Sequence, residues 1–123
     1  MACVLVFNVS DPGKINELDV LALRLGFTVR TVSPDRQKCI IDDLLAGKDT
    51  VSGGTPSFRD EMLVMDGFSH EELNFLLNEL IRTGNRIALK AVVTPTNRTW
   101  SAAVLHAQLV AEDSLMKRSG GAK

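Results

Sequence analysis

Three features of this sequence predict an α/β fold built from two βαβα halves. Apolar runs of strand length alternate with amphipathic helical segments. An X-Pro turn, Ser33-Pro34 in one half and Thr94-Pro95 in the other, follows the second strand of each half. Those turns lie in similar stretches, Thr31-Val32-Ser33-Pro34 and Val92-Val93-Thr94-Pro95, 61 residues apart. Strands alternating with helices imply a mainly parallel sheet with crossover helices packed on it.

Cys3-Val4-Leu5-Val6-Phe7 is a continuous apolar run, which predicts a strand buried on both faces. Ser10-Asp11-Pro12 is a helix start, with a capping side chain ahead of proline. Ile15, Leu18, Leu21, Ala22 and Leu25 recur at helical spacing, and Gly26 stops that helix. Residues 27–32 alternate imperfectly and predict a second strand nearer an edge. A short helix over 37–46, with Ile40, Ile41, Leu44 and Leu45 apolar, closes at Gly47. Residues 48–60 are polar and glycine-rich and read as a loop between the halves, with Gly53-Gly54 as a flexible hinge.

Met62-Leu63-Val64-Met65 opens the second half as another buried strand. Phe68-Ser69-His70-Glu71-Glu72-Leu73 predicts a capping box between Ser69 and Glu72, with Phe68 and Leu73 as a hydrophobic staple. Leu73, Leu76, Leu77, Leu80 and Ile81 form the apolar stripe of that helix, and Gly84 ends it. Residues 87–93 read as a strand interrupted by Lys90, and residues 94–99 as a polar turn. The final helix is expected over 100–117, with Trp100, Val104, Leu105 and Leu109 inward. The layout is one domain over 1–118, made of halves 1–47 and 61–118, with a frayed tail at 119–123. The most apolar strands, the first and third, belong at the centre. A parallel order 2-1-3-4 satisfies this, and so does the antiparallel ferredoxin-like α+β order 4-1-3-2.

A 45% hydrophobic, 24% charged chain of 123 residues has the composition of a globular domain. Fourteen basic and fifteen acidic residues are spread evenly, without the basic patch of a nucleic-acid or membrane-surface binder. Cys3 and Cys39 make no disulfide framework. The N-terminal apolar run is too short to span a bilayer and no basic segment precedes it, so a cytoplasmic protein is expected.

Gly67-Phe68, Glu72-Leu73-Asn74, the run Leu89-Lys90-Ala91-Val92-Val93-Thr94-Pro95-Thr96-Asn97 and Trp100 carry a family resemblance. Over residues 62–112 the chain is similar to a short bacterial domain of unknown function. The resemblance implies a bacterial origin and no assigned activity. The first half departs from the pattern, with Val29, Asp35 and Arg36 at the places of Lys90, Thr96 and Asn97.

The turn after the fourth strand is the candidate site. Open α/β sheets bind ligands beyond the C-terminal ends of their strands, and amides at a helix start attract anions. Thr94, Thr96, Asn97 and Thr99 add neutral hydrogen-bonding groups, and Lys90 and Arg98 can balance a phosphate or carboxylate. The plainer role of the same residues is to cap a helix around a fixed proline. Asp66, with His70, reads as an acid/base pair or as two metal ligands, against a structural turn explained by the capping box. Gly13-Lys14 lacks both the first glycine and the hydroxyl residue of a phosphate-binding loop. Cys3 lies inside a strand, Cys39 takes the place of Trp100 in the other half, and His106 sits at a helix boundary. No catalytic group, metal site or cofactor is assigned. Two function classes stand. One is a non-enzymatic binding or interaction module that takes a small anion at Lys90/Thr94–Trp100 or a protein partner, as a homodimer in one form. The other is a small enzyme for a phosphorylated or carboxylated metabolite, using Lys90, Asn97 and Asp66 or His70.

Overall fold

All five residues of β1 (Cys3–Phe7) are buried, and so are the first four of β3 (Met62–Asp66). Strands apolar on both faces belong at the centre of a sheet covered from both sides. The computed structural model describes residues 2–48 and 55–121 and places them there. The sheet order is β2-β1-β3-β4, with β2 (Thr28–Val32) and β4 (Leu89–Val92) at the edges. The order 2-1-3-4 is therefore adopted and the ferredoxin-like order is not. Each half pairs its own strands in parallel, Val4 beside Val29 and Met62 beside Leu89. The halves meet antiparallel, with Cys3 opposite Asp66 and Phe7 opposite Met62. The sheet is thus mixed, with its one antiparallel junction at the centre. β3 consequently starts at the end of the sheet where β2 finishes, and no full-length crossover helix is needed between them.

That geometry explains a shorter second helix. The segment expected as a helix over 37–46 is helical only at α2 (Ile41–Leu45), and Pro34–Arg36 forms a separate 3-10 turn. β4 is likewise shorter than the expected 87–93, because Ile87 leaves the ladder and fills the core.

The first long helix, α1 (Pro12–Leu25), is capped by Asp11, whose carboxylate accepts from Gly13 N at 2.9 Å. Gly26 ends it in the left-handed region at φ 77°. In α3 (His70–Arg82) the capping box is complete: Ser69 Oγ accepts from Glu72 N and Glu72 Oε1 accepts from Ser69 N. α1 and α3 cover one face, where Leu18, Leu21, Leu76 and Leu80 join Val4, Val6, Leu63 and Met65. α2 and α4 (Ala102–Gly121) cover the other, where Ile41, Leu44, Ala102 and Leu105 join Leu5, Phe7, Met62 and Val64.

Two residues expected inward point out, Ile81 and Val104. α4 begins at Ala102, so its inward row is Ala102, Leu105 and Leu109. Val104 falls about 200° around the helix from Ala102, on the solvent side. The helix continues to Gly121, so the expected tail at 119–123 enters it up to that residue. Residues 122 and 123 and the Gly53-Gly54 hinge lie outside the described residues. No described helix is long and apolar enough to cross a membrane.

The halves also meet above the sheet. Ile40 and Ser101 form an antiparallel bridge, flanked by Ile41 N donating to Trp100 O at 2.9 Å and Ala102 N donating to Cys39 O at 3.0 Å. Each of these bonds becomes the other when residues 61 apart are exchanged.

Candidate functional site

β3 and β4 are parallel, so the loops after them, Asp66–Ser69 and Thr94–Trp100, lie at one end of the sheet. The Thr94–Trp100 turn is organised by Asn97, which is 8% exposed. Its Oδ1 accepts from Thr94 N at 2.8 Å, and its Nδ2 donates to Val92 O at 3.0 Å. Its own amide donates to Thr94 Oγ1 at 3.1 Å. One short side chain thereby ties the end of β4 to the 3-10 turn Asn97–Thr99. Thr99 Oγ1 donates to Thr96 O, and Trp100 N donates to Asn97 O.

The charges expected at this turn are distributed otherwise. Arg98 lies between two carboxylates, 3.6 Å from Asp42 on α2 and 3.7 Å from Asp66 at the end of β3. Lys90 stands in register with Leu63 and so belongs to the α1/α3 face. Its Nζ donates to Ile87 O at 2.7 Å, back along the chain and away from the turn. Burial pushes the Lys90 ammonium down from its ordinary pKa, and the nearby Arg86 charge adds to that. Asp66, Arg98, Asn97 and Thr94 therefore come together, and Lys90 does not join them. His70 opens α3 on the exposed surface.

Beside the turn, on the α2/α4 face, a groove of about 300 Å³ runs between edge strand β4 and α4. Ala91, Val92, Trp100, Leu105 and Leu109 make it apolar, and Thr94, Asn97 and Gln108 add neutral polar groups. Among the described residues, Glu112 is its single charged lining residue. Of the expected site residues, Thr94 and Asn97 line this groove, whereas Asp66, Lys90, Thr96, Arg98 and Thr99 do not.

The opposite end of the sheet holds polar side chains that the periodicity of the sequence did not single out. Gln37, 2% exposed, accepts from Ser57 N at 2.6 Å and Phe58 N at 3.0 Å and donates to Phe58 O at 3.0 Å. Asn8, at φ 61°, donates to Phe58 O and Asp60 O. Together they hold the segment that enters β3. His106 stacks on Phe58 with centroids 4.1 Å apart, and its Nε2 lies 2.8 Å from Asp60. One glutamine without apolar period carries no sequence signal for such a clamp; only a buried location reveals it. Among the described residues, no three His, Cys, Asp or Glu side chains are grouped to hold a metal.

Neither the curated proteins nor the solved structures give a match to this chain. The resemblance expected over 62–112 is found over residues 61–116, from the start of β3 into α4, and it is to the family model described as Domain of unknown function (DUF3783).

Proposed function

We propose that this chain is a non-enzymatic binding module, and that the groove between β4 and α4 takes an uncharged, mainly apolar group of a small molecule or peptide. The observation that carries this reading is the lining itself: five apolar side chains, neutral hydrogen-bonding groups and one carboxylate. The anion expected from the sequence has less support at this turn, because Arg98 already faces two carboxylates and Lys90 lies on the other face. About 300 Å³ is at the small end of ligand sites, sufficient for one ring or branched chain. Trp100 is the only tryptophan and the chain has no tyrosine, so emission excited at the red edge reports this groove. Titration with cyclohexanol should give a saturable change in Trp100 emission that Leu109→Asp removes. A response equal in Leu109→Asp, or no saturable response, overturns the assignment.

A second reading, self-association through β4, is favoured by Val92, which is 45% exposed on an edge strand with an unpaired side. Sedimentation of wild type and Val92→Lys decides it. A dimer lost in the variant supports the reading, and a wild-type monomer at high concentration removes it.

A further inference from the structure

We propose that the Asn97 side chain guards the open edge of β4 against pairing with β4 of a second copy of this chain. The inference rests on the edge named in the second reading above and supplies the device that regulates it.

In the ladder between β3 and β4, Leu89 N donates to Glu61 O at 3.3 Å and Val93 N donates to Met65 O at 2.9 Å. Successive residues of a strand turn their backbone groups to opposite sides. The odd-numbered residues of β4 therefore face β3, whereas Lys90, Val92 and then Thr94 face the open side. Asn97 meets two of these outward groups. Its Nδ2 donates to Val92 O at 3.0 Å, and its Oδ1 accepts from Thr94 N at 2.8 Å. Its own amide is fixed as well, donating to Thr94 Oγ1 at 3.1 Å. A carboxamide carries the same donor and acceptor as a peptide group, so it takes the place of an added strand at this end of the edge.

The edge is self-complementary, which selects a second copy as its partner. Two β4 strands placed antiparallel about a two-fold axis at Ala91 set Lys90 opposite Val92 of the second copy, and the reverse. No like charges are opposed, and the Lys90 stem can lie along Val92, which is 45% exposed. Small Ala91 falls on the axis, where antiparallel strands approach most closely. Both backbone pairs of this arrangement use Val92 O, and Asn97 Nδ2 already stands on it. Edge strands need such protection, because exposed backbone groups recruit other strands.

Sedimentation of the full chain over a range of concentrations tests the guard. Asn97→Ala should self-associate with a dissociation constant at least roughly tenfold below that of wild type. Adding Val92→Pro to Asn97→Ala should abolish the gain, because proline removes an amide on the open side and leaves the ladder to β3 intact. Thr94→Ala loosens the same turn but leaves the carboxamide on Val92 O, and should sediment as wild type does. Cooperative thermal melting shows that each variant is folded, and Asn97→Ser replaces Asn97→Ala if the latter does not fold. Folded Asn97→Ala that associates no more than wild type, equal association in Thr94→Ala, or association that survives Val92→Pro overturns the proposal. A wild-type monomer removes only the second reading above, since the guard is read from the change on removing Asn97.

Discussion

Ile40 and Ser101, 61 residues apart in the chain, lie opposite each other in an antiparallel bridge that joins the two halves above the centre of the sheet. The hydrogen bonds on either side of the bridge are reciprocal, Ile41 to Trp100 and Ala102 to Cys39. In the sheet below, β1 and β3 pair antiparallel in the same manner. The first helical turns of α2 and α4 are thereby set side by side, and Leu44 and Leu105 each enter the same apolar cluster.

Because those leucines occupy corresponding places, Leu44→Ala and Leu105→Ala should cost similar amounts, each about 2–5 kcal/mol. Urea unfolding should show one transition in both variants, since the halves share the strands at the centre of the sheet. Two separate transitions would show that the halves unfold independently.

Gln37→Ala leaves the amides of Ser57 and Phe58 without their acceptor, that of Phe58 in a buried setting. A loss of about 1–3 kcal/mol is expected. Hydrogen exchange should accelerate at residues 57 and 58 before it does in β1. Uniform acceleration across the sheet would mean that Gln37 acts on global stability alone.

Asn97→Ala removes the brace between Val92 and Thr94. It should lower the midpoint of thermal unfolding by several degrees, corresponding to about 1–3 kcal/mol. An unchanged midpoint would show that the turn holds its shape through Pro95 and the backbone bonds alone.

The Glu72 carboxylate is held below its usual pKa chiefly because it accepts the backbone hydrogen bond of Ser69. Its folded pKa is depressed, so its contribution is present above the unfolded value of about 4.3 and is lost as pH falls through the folded value. Wild type should therefore be more stable than Glu72→Gln at neutral pH, and the two should converge in acid. Denaturant titrations at several pH values test this; a difference independent of pH would assign the effect to shape alone.

Burial raises the Cys3 thiol pKa, with Arg30 opposing part of the rise. Both Cys3 and Cys39 are buried. Neither should react measurably with iodoacetamide at neutral pH until the protein is unfolded, because the thiolate is the nucleophile. Rapid labelling of the folded chain would require local opening, of β1 at Cys3 or of the segment before α2 at Cys39.

Much of this architecture was readable from residue order. The two-sided apolar runs at Cys3–Phe7 and Met62–Met65 identified the central strands. Asp11-Pro12 and Ser69–Glu72 marked helix starts, because capping is a contact between near neighbours in the chain. The candidate site was less readable. Thr94 and Asn97 do line a groove, but Lys90, only four residues before Thr94, turns to the opposite face.

Element order, strand placement and helix caps follow from periodicity and local hydrogen bonding, which residue order contains. The direction in which β1 meets β3 does not follow from them. A strand apolar on both faces is alike in either direction, and its backbone can complete a ladder both ways. That choice was made by packing of the whole chain. It also decided that Gln37 would be buried against Phe58, and that Arg30, Arg36 and Lys48 would share one cavity.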